Sequence, residues 1–266
     1  MKEAAGARAR STDDAFLGGS LRILQPKDGY RAGIDAVLLA AAAPIKAGRK
    51  DRVLDVGAGV GVVGLAVARR APRTDVTLVE REWLLADLAR CNIERNGLQA
   101  RVRLVQADVS RRLDELPELR ADAESFDHVL ANPPYNQHGA GTVSVEALKA
   151  TANVMPGGNL ARWARFMAAM ARPGGSATMI HRADAIGEVL SAFAGRFGGL
   201  IVFPLYPREG KSAIRVLVQG VKGSNAPVEL RPGLVLHDAG NRFRPEAEAI
   251  LRQGAGLSLR NRPVRP

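Results

Sequence analysis

The sequence contains very little cysteine, histidine or aromatic residue. A single cysteine, Cys91, among 266 residues excludes a disulfide framework and a metal site built from several thiolates. The four histidines are scattered and form no His-x-x-x-His pair, so we expect no metal site. Aromatic residues make up only 5% of the chain, which argues against a base-stacking platform of the RNA-recognition-motif type.

Long hydrophobic runs are also absent. The longest, residues 36–43, is far shorter than the roughly 18–20 apolar residues that span a bilayer. The N-terminal stretch carries charges but no apolar core, which is not the pattern of a secretory signal. We therefore expect a cytoplasmic protein with no membrane partner. Cys91 is expected to be an ordinary packed thiol.

Acidic residues are in the minority. The chain has 27 acidic and 38 basic residues, which corresponds to a formal net charge of +11. Such an excess favours a polyanionic partner, typically nucleic acid, and is equally compatible with an arginine-rich composition that serves solubility. Residues 252–266 contain several of the arginines and are predicted to form a flexible tail, which either contacts RNA or is solvated.

What the sequence does have is a regular alternation of strand and helix patterns. The last two strand segments are joined too tightly for a parallel crossover. The pattern predicts an α/β fold with a Rossmann-like, seven-stranded, mostly parallel sheet, helices on both faces and an antiparallel edge hairpin. The predicted strands cover residues 52–57, 75–80, 100–108, 126–132, 173–181, 200–206 and 212–220. The predicted helices cover residues 62–70, 82–96, 159–171 and 185–196.

The predicted domain organisation is simple. We expect a disordered segment, one domain whose core spans residues 51–220, and a basic tail, at 1–15, 16–251 and 252–266 respectively. Before the core, residues 21–24 are predicted to form a short strand. Asp35 is the predicted N-cap of a helix that ends near Pro44.

A glycine-rich turn, "DVGAGVG", follows the first core strand and precedes a helix. Glycine at alternate positions permits a tight turn and close approach of the backbone to a ligand. The dinucleotide fingerprint would require glycine at position 62, which is Val62, and the spacing resembles instead the loop that binds S-adenosylmethionine. The predicted cofactor contacts in this loop are Asp55, Gly57, Ala58, Gly59 and Gly61.

Acidic residues end the next two predicted strands. Glu80 ends the strand at 75–80, and Asp108 ends the strand at 100–108. Ligands of open α/β sheets bind at the carboxyl ends of the strands, so both side chains should face one pocket. Glu80 is predicted to accept hydrogen bonds from ribose hydroxyls. Asp108 is predicted to hold the adenine amine of the cofactor.

The fourth core strand runs into Asn132, Pro133, Pro134 and Tyr135, and the two prolines stiffen the backbone where the strand stops. The Asn132 side-chain oxygen and the Pro133 carbonyl oxygen can accept the N–H groups of an amine or amide and direct its lone pair at a methyl donor. Tyr135 offers a face on which a planar base can stack. All four residues are predicted to be catalytic, and Asn132 is also predicted to touch the cofactor.

Together these motifs resemble the class I S-adenosylmethionine-dependent methyltransferases that modify amino groups. The upstream "GYRAGIDAVLLAAAAP" and the downstream "YPREGKSAIRVLV" are similar to segments of the small-domain methyltransferases related to the tRNA1(Val) adenine-37 N6-methyltransferases, over residues 18–251. The resemblance implies S-adenosyl-L-methionine as the cofactor and the N6 amine of an adenine in RNA, above all tRNA, as the acceptor. It also implies that Gly33 and Asp35 close the methionine end of the cofactor, with a turn and a helix cap as their alternative roles.

Three other functions stay open, and one of them is DNA adenine methylation, for which the sequence shows no recognisable target-recognition domain. Glutamine N5-methylation of a protein, as in release-factor methyltransferases, uses the same Asn-Pro-Pro-Tyr chemistry, although those enzymes carry a longer helical domain before the core. A non-catalytic cofactor- or RNA-binding module is the third possibility, and the intact motif argues against it. We expect acceptor choice to depend on residues 136–158 and on Arg208 and Lys211 at the hairpin tip, which are predicted to bind RNA phosphates.

Overall fold

A two-stranded hairpin precedes the core. The computed structural model describes residues 11–46, 48–135 and 159–260. In it, β1 (Ser11–Phe16) pairs antiparallel with β2 (Leu21–Pro26). The expectation of disorder is therefore wrong for residues 11–15, because β2 supplies the hydrogen-bonding partner that the polar sequence of β1 does not reveal. Residues 1–10 lie outside the described residues.

The central sheet has β3 (Arg52–Val56) in its middle. On one side lie β4 (Asp75–Glu80) and β5 (Val102–Gln106), and on the other β6 (Phe126–Ala131) and β7 (Ala171–Arg182), all parallel. β8 (Phe197–Tyr206) and β9 (Arg215–Lys222) form an antiparallel hairpin that pairs with β7 through β9. The short β10 (Glu229–Leu230) and β11 (Leu234–Val235) extend the β8 edge. The predicted mostly parallel sheet with an antiparallel edge hairpin is confirmed.

Helices cover both faces of this sheet. Successive strand residues point to opposite faces, so Val53 belongs to one buried apolar cluster and Leu54 to the other. Across the described ranges, no helix combines the length and apolarity that a membrane crossing needs. The helices are α1 (Ile34–Ala42), α2 (Val62–Arg70), α3 (Trp83–Arg95), α4 (Pro117–Arg120), α5 (Asn159–Met170), α6 (Ile186–Phe193) and α7 (Pro245–Gln253).

The element bounds follow the sequence patterns closely in the core. The predicted strand at 75–80 and the predicted helix at 62–70 coincide with β4 and α2. The helix predicted over 82–96 is α3, one residue shorter at each end, and Cys91 is buried in it as expected.

The helix α1 has a different N-cap from the one predicted. Its N-cap is Gly33, and Asp35 lies in the first turn. A carboxylate in the first turn is favourable beside the positive end of the helix, so Asp35 can serve the helix without capping it. Residues 36–42 are all buried, which explains why this helix lacks a polar face.

The C-terminal chain is packed up to residue 260. Leu257 and Leu259 are only 5% and 4% exposed, and the backbone N–H of Leu257 donates to the Ala41 carbonyl oxygen at 2.8 Å. Burial of two leucine side chains stabilises an ordered conformation by a few kcal/mol, roughly 1.5–3 for each. The prediction of a flexible tail is therefore wrong for residues 252–260, and residues 261–266 lie outside the described part of the chain.

Candidate active site

The glycine loop joins β3 to α2 through backbone that requires glycine. Gly57 and Gly59 have φ values of +65° and +57°. A Cβ atom on Gly57 would lie 2.3 Å from the Trp163 ring, and one on Gly59 would lie 2.7 Å from the Tyr30 ring. Conformation and space both exclude larger residues there, because the two rings pack directly against the glycine backbone.

The loop is closed by its own hydrogen bonds and by Asp55. The Ala58 N–H donates to the Val79 carbonyl oxygen at 2.9 Å, and the Gly61 N–H donates to that of Ala58 at 2.9 Å. Asp55 is 1% exposed, and its Oδ2 accepts the Gly64 N–H at 2.9 Å. Asp55 thus ties the first turn of α2 to the end of β3 and supports the loop from inside.

The environment of Asp55 also changes its acidity. Burial, reinforced by the charge of Glu80, raises the pKa of Asp55 to about 7. A buried carboxyl group with one backbone donor is less well solvated than in water, so the protonated form is favoured. The loop is therefore supported by a group that titrates near neutral pH.

Glu80 binds the loop from the neighbouring strand. Its Oε2 accepts the Gly59 N–H at 2.8 Å, and its Oε1 accepts the N–H groups of Arg81 and Glu82, both at 2.8 Å. A carboxylate has about four lone-pair sites, so these three bonds leave one for a further donor. Glu80 is 7% exposed and stands at the carboxyl end of β4, as the sequence predicted.

Asp108 lies beyond the end of β5 and is half-buried. Its Oδ1 accepts the Ser110 N–H at 2.9 Å, and its Oδ2 lies 3.7 Å from Nη1 of Arg81. The carboxyl ends of β3, β4 and β5 therefore bring Asp55, Glu80 and Asp108 to one sheet edge, as the sequence predicted.

The Asn132–Tyr135 segment leaves the end of β6, beside the end of β3. Pro133 is buried, Pro134 is exposed, and the other two residues are half-buried. The single hydrogen of the Tyr135 hydroxyl is shared between two acceptors, Oδ2 of Asp35 at 2.9 Å and Oδ1 of Asn132 at 3.1 Å. The Asn132 amide oxygen is therefore held in place, and it keeps a second lone pair for another donor.

Arg215 completes this arrangement from the start of β9. Its Nε donates to Oδ2 of Asp35 at 2.8 Å, and its guanidinium carbon lies 4.9 Å from the centroid of the Tyr135 ring. Burial and the Asp35 carboxylate raise the pKa of Tyr135, which keeps its hydroxyl protonated as a donor. Arg215 thus lies over the ring that the sequence predicted would stack on a base.

His181, near the end of β7, borders the same ring. The two ring centroids are 5.0 Å apart at an interplanar angle of 84°, an edge-to-face contact. His181 is 6% exposed, and its Nδ1 has no hydrogen-bond partner among the described residues. Burial lowers the pKa of His181, which favours the neutral imidazole.

The β1–β2 hairpin positions Tyr30 over the glycine loop. Oε1 of Gln25 accepts the Ala32 N–H at 2.8 Å, and Nη2 of Arg31 contacts Oδ2 of Asp14 at 2.7 Å. Tyr30 is 44% exposed, and its partial burial together with three neighbouring carboxylates raises the pKa of its hydroxyl. The hairpin therefore acts as part of the site, although its sequence carries no motif.

Arg208 and Lys211 lie in the β8–β9 connection. Since β7 and β8 both pair antiparallel with β9, they run parallel, and this connection lies at the same sheet end as Asn132. Both side chains are exposed and form no ion pair with another described residue. Residues 136–158, to which acceptor choice was assigned, lie outside the described residues.

The structure brings every described residue of the predicted site to one end of the sheet. Gly33 caps α1 there, next to Asp35. Sequence reasoning missed four further residues at this site, Tyr30, Trp163, His181 and Arg215. Tyr30 and Arg215 each stand in a segment that carried the family resemblance, and that is the signal that could have found them. Trp163 and His181 follow no local pattern.

Fold and site together define a class of protein. A solved structure from Agrobacterium tumefaciens, described as a predicted O-methyltransferase, matches with a TM-score of 0.72 and 32% identity, and the match covers 85% of this chain and 100% of that one. The glycine loop and the remaining lone pair of Glu80 fit the nucleoside part of a cofactor such as S-adenosyl-L-methionine. The protein is an S-adenosylmethionine-dependent methyltransferase.

The family is also defined. The model of the methyltransferase small domain matches residues 33–165, half of the 266-residue chain. The chain belongs to the methyltransferase small-domain family. The matched region begins at Gly33 and includes the glycine loop, Glu80, Asp108 and the Asn132–Tyr135 segment.

Curated relatives with two different acceptors match parts of the chain. A tRNA1(Val) (adenine(37)-N6)-methyltransferase from Shewanella sp. is 35% identical over 42% of this chain and 44% of its own length, so the match spans less than half of that relative. One from Haemophilus influenzae is 27% identical over 86% of this chain and 92% of its own length. A release factor glutamine methyltransferase from Rhodopirellula baltica is 37% identical over 31% of this chain and 26% of its own length.

Proposed function

We propose that this protein transfers the methyl group of S-adenosylmethionine to the exocyclic N6 amine of an adenine in RNA, with tRNA as the favoured substrate. The observation that carries the proposal is the Asn132 amide oxygen, held by Tyr135 at the end of β6 beside the glycine loop. A cytoplasmic site of action stays a prediction from the sequence.

The proposed cofactor contacts are the backbone of Gly57 and Gly59 and the carboxylates of Glu80 and Asp108. When bound, S-adenosylmethionine supplies an electrophilic methyl group. The remaining lone pair of Glu80 suits a ribose hydroxyl, and the half-buried Asp108 suits an amine donor. Asp55 acts indirectly, since its carboxyl group bonds to α2 inside the loop.

The acceptor chemistry favours nitrogen over oxygen. The Asn132 amide oxygen and the Pro133 carbonyl oxygen accept hydrogen bonds but are too weakly basic to deprotonate a hydroxyl group. An exocyclic amine needs only to have its N–H groups oriented and its developing positive charge stabilised, which two fixed acceptors achieve. Asp35, the carboxylate beside Tyr135, is already engaged by Arg215, which supports a nitrogen acceptor rather than O-methylation.

We assign Asp35 and Arg215 a positioning role in this mechanism. Arg215 holds the Asp35 carboxylate, that carboxylate accepts the Tyr135 hydroxyl, and Tyr135 holds the Asn132 oxygen. The chain of contacts joins α1, the β6 end and β9 and restrains an oxygen that must meet a substrate N–H in line with the methyl donor. Such restraint can contribute several kcal/mol, up to roughly 7–11 for full orientation of the reactants.

Three observations support RNA as the substrate class. The net charge of the chain is +11. The relative from Haemophilus influenzae, which matches 86% of this chain, is named as a tRNA adenine methyltransferase. Two exposed cations, Arg208 and Lys211, stand at the active-site end of the sheet. A base can reach this site only from a loop or after rotating out of a helix.

Parallel methylation assays test the proposed substrate. The protein is incubated with labelled S-adenosylmethionine and, in separate reactions, total tRNA, release factors or DNA. We expect label in tRNA, recovered as N6-methyladenosine after nucleoside analysis. Label in release factor alone would show the glutamine alternative to be correct, and label at a ribose or base oxygen would contradict the nitrogen chemistry.

The RNA surface at the hairpin tip has its own test. The double substitution Arg208→Ala and Lys211→Ala should weaken tRNA binding and reduce the slope of log affinity against log salt by about 1 for each phosphate that the variant no longer neutralises. Arg120→Ala with Arg196→Ala removes the same charge from an exposed position before β6 and a half-buried position before β8, and it serves as the control. Equal slopes for the two double variants would place the RNA elsewhere on the protein.

A further inference from the structure

A basic cavity lies at the opposite end of the sheet from the candidate active site. The cavity has a volume of about 300 Å³ and is formed by the α1–β3 loop, the α2–β4 loop and the chain that follows α7. Both loops precede their strands, whereas the glycine loop and Glu80 stand where β3 and β4 end. Among the described residues, the lining includes four cations, Lys46, Arg49, Arg70 and Arg73, and no acidic residue.

Arg70 is the innermost of these cations. It is half-buried, and its Nη2 donates to the carbonyl oxygens of Ala40 and Ala43, at 2.8 and 3.1 Å, which fixes the guanidinium at the C-terminal end of α1. A Cβ atom on Gly256 would lie 2.9 Å from Nη1 of Arg70, so the guanidinium packs against this glycine in a place that a larger residue would fill. Burial lowers the pKa of Arg70, and no carboxylate of the described chain pairs with it.

The other cations differ in how they are neutralised. Arg49 contacts Asp51 at 3.1 Å and Asp127 at 3.7 Å. Lys46 and Arg73 are exposed and form no ion pair with another described residue. Three cations therefore converge on one concavity without a counter-charge from the described protein, an arrangement that is unfavourable unless an anion or solvent compensates it.

We propose that this cavity is a binding site for phosphate groups, separate from the methyl-transfer site. Nη2 of Arg70 makes both bonds to the carbonyl oxygens, so the N–H groups on its other nitrogens can donate to a ligand. The geometry of a guanidinium group matches that of phosphate oxygens. Lys46 and Arg73 supply charge at the rim. The volume suits a ligand of one or two phosphates, since about 300 Å³ is the lower limit of ordinary small-molecule sites. The source is either a soluble phosphorylated ligand or the backbone of an RNA.

Calorimetric titration with inorganic pyrophosphate at low ionic strength tests the site. We expect saturable binding to the parent protein and at least tenfold weaker binding to Lys46→Ala with Arg73→Ala. These side chains are exposed, so the variant should keep the parent melting temperature. Arg120→Ala with Arg196→Ala removes equal charge elsewhere and should bind pyrophosphate like the parent. Absence of saturable binding to the parent, or equal affinity in the Lys46/Arg73 variant, would overturn the proposal.

Competition identifies the source of the phosphate. Fluorescently labelled tRNA and a single-stranded RNA are bound to the parent, and pyrophosphate is added. Displacement of RNA, with a smaller salt slope for the Lys46/Arg73 variant, identifies backbone phosphates as the ligand. Pyrophosphate binding without displacement identifies a soluble phosphorylated ligand. Neither result depends on the acceptor of methyl transfer, so this proposal and the proposed function can fail separately.

Discussion

The two ends of the central sheet handle charge in opposite ways. At the carboxyl end, Asp35, Asp55 and Glu80 each accept hydrogen bonds from backbone N–H groups or from a neighbouring side chain. At the amino end, Arg70 and Arg73 converge on a cavity with no acidic residue in its described lining. At the carboxyl end of the sheet, acidic side chains therefore hold loops in place and orient hydrogen-bond donors. At the amino end, cations without a nearby carboxylate leave an electropositive surface that can bind an anion.

We expect the largest effect from removal of the Asn132 side-chain amide, at the carboxyl end of the central sheet. Asn132→Ala should lower the rate of methyl transfer by about 10²–10³-fold, because one preorganised acceptor is lost. Affinity for S-adenosylmethionine should stay near the parent value, since the proposed cofactor contacts lie mainly on β3 to β5. Single-turnover transfer and calorimetry measure the two quantities. Asn225→Ala, in an exposed loop, is the control, and near-parent activity of Asn132→Ala would refute the assigned chemistry.

The next effect concerns the glycine loop. Gly57→Ala places a Cβ atom 2.3 Å from the Trp163 ring at a φ of +65°. We expect the free energy of unfolding to fall by about 1–3 kcal/mol, and affinity for S-adenosylmethionine to fall at least tenfold. Gly187→Ala, in α6 with open space around it, should instead stabilise by roughly 0.5–1 kcal/mol. If Gly57→Ala binds S-adenosylmethionine as tightly as the parent, the glycine loop is not part of the cofactor site.

A smaller effect is expected at Arg215, which holds the motif without touching the reacting atoms. Arg215→Ala should lower kcat by roughly 10-fold to 100-fold with little change in the KM for S-adenosylmethionine, and Arg215→Lys should restore part of the loss. In a double-mutant cycle, Asp35→Asn and Arg215→Ala should be non-additive because both break one contact. Arg231→Ala, which breaks an ion pair on β10, is the control. Additive losses would mean that the two residues act independently.

The last effect is a pH dependence of stability, which is small for each step in pH and accumulates over about three pH units. The pKa of Asp55 is raised to about 7 in the folded protein, so between about pH 4 and pH 7 the folded chain holds a proton that the unfolded chain releases. This contribution to stability is therefore present at low pH and is lost as the pH rises to about 7, by up to roughly 1.4 kcal/mol per pH unit.

Asp55→Asn removes this titration. Compared with the parent, its free energy of unfolding should rise with pH between about pH 4 and pH 7, as measured by urea unfolding at several pH values. Asp28→Asn changes an exposed carboxylate by the same chemistry and should leave the parent profile unchanged. Parallel profiles for Asp55→Asn and the parent would show that Asp55 is ionised in the folded state.

Much of the core was predictable because its signals are local. Apolar runs that end in glycine or an acid define β3 and β4, and their carboxyl ends must share one sheet edge once the strands are parallel. The position of Glu80 at that end of the sheet could therefore be predicted from the sequence. The strand β1 could not be predicted, because its polar sequence becomes a strand only through pairing with β2.

Local sequence patterns were enough to predict the class of chemistry. These patterns are the glycine spacing, the acids at the strand ends and the Asn132–Tyr135 motif, and each depends on a few neighbouring residues. Three contacts became known only from the packing of the folded chain: Arg215 reaches Asp35, His181 borders Tyr135, and the chain after α7 lines a basic cavity with Arg70. Those contacts join segments far apart in the chain, and their geometry follows from how helices and strands pack rather than from any local pattern.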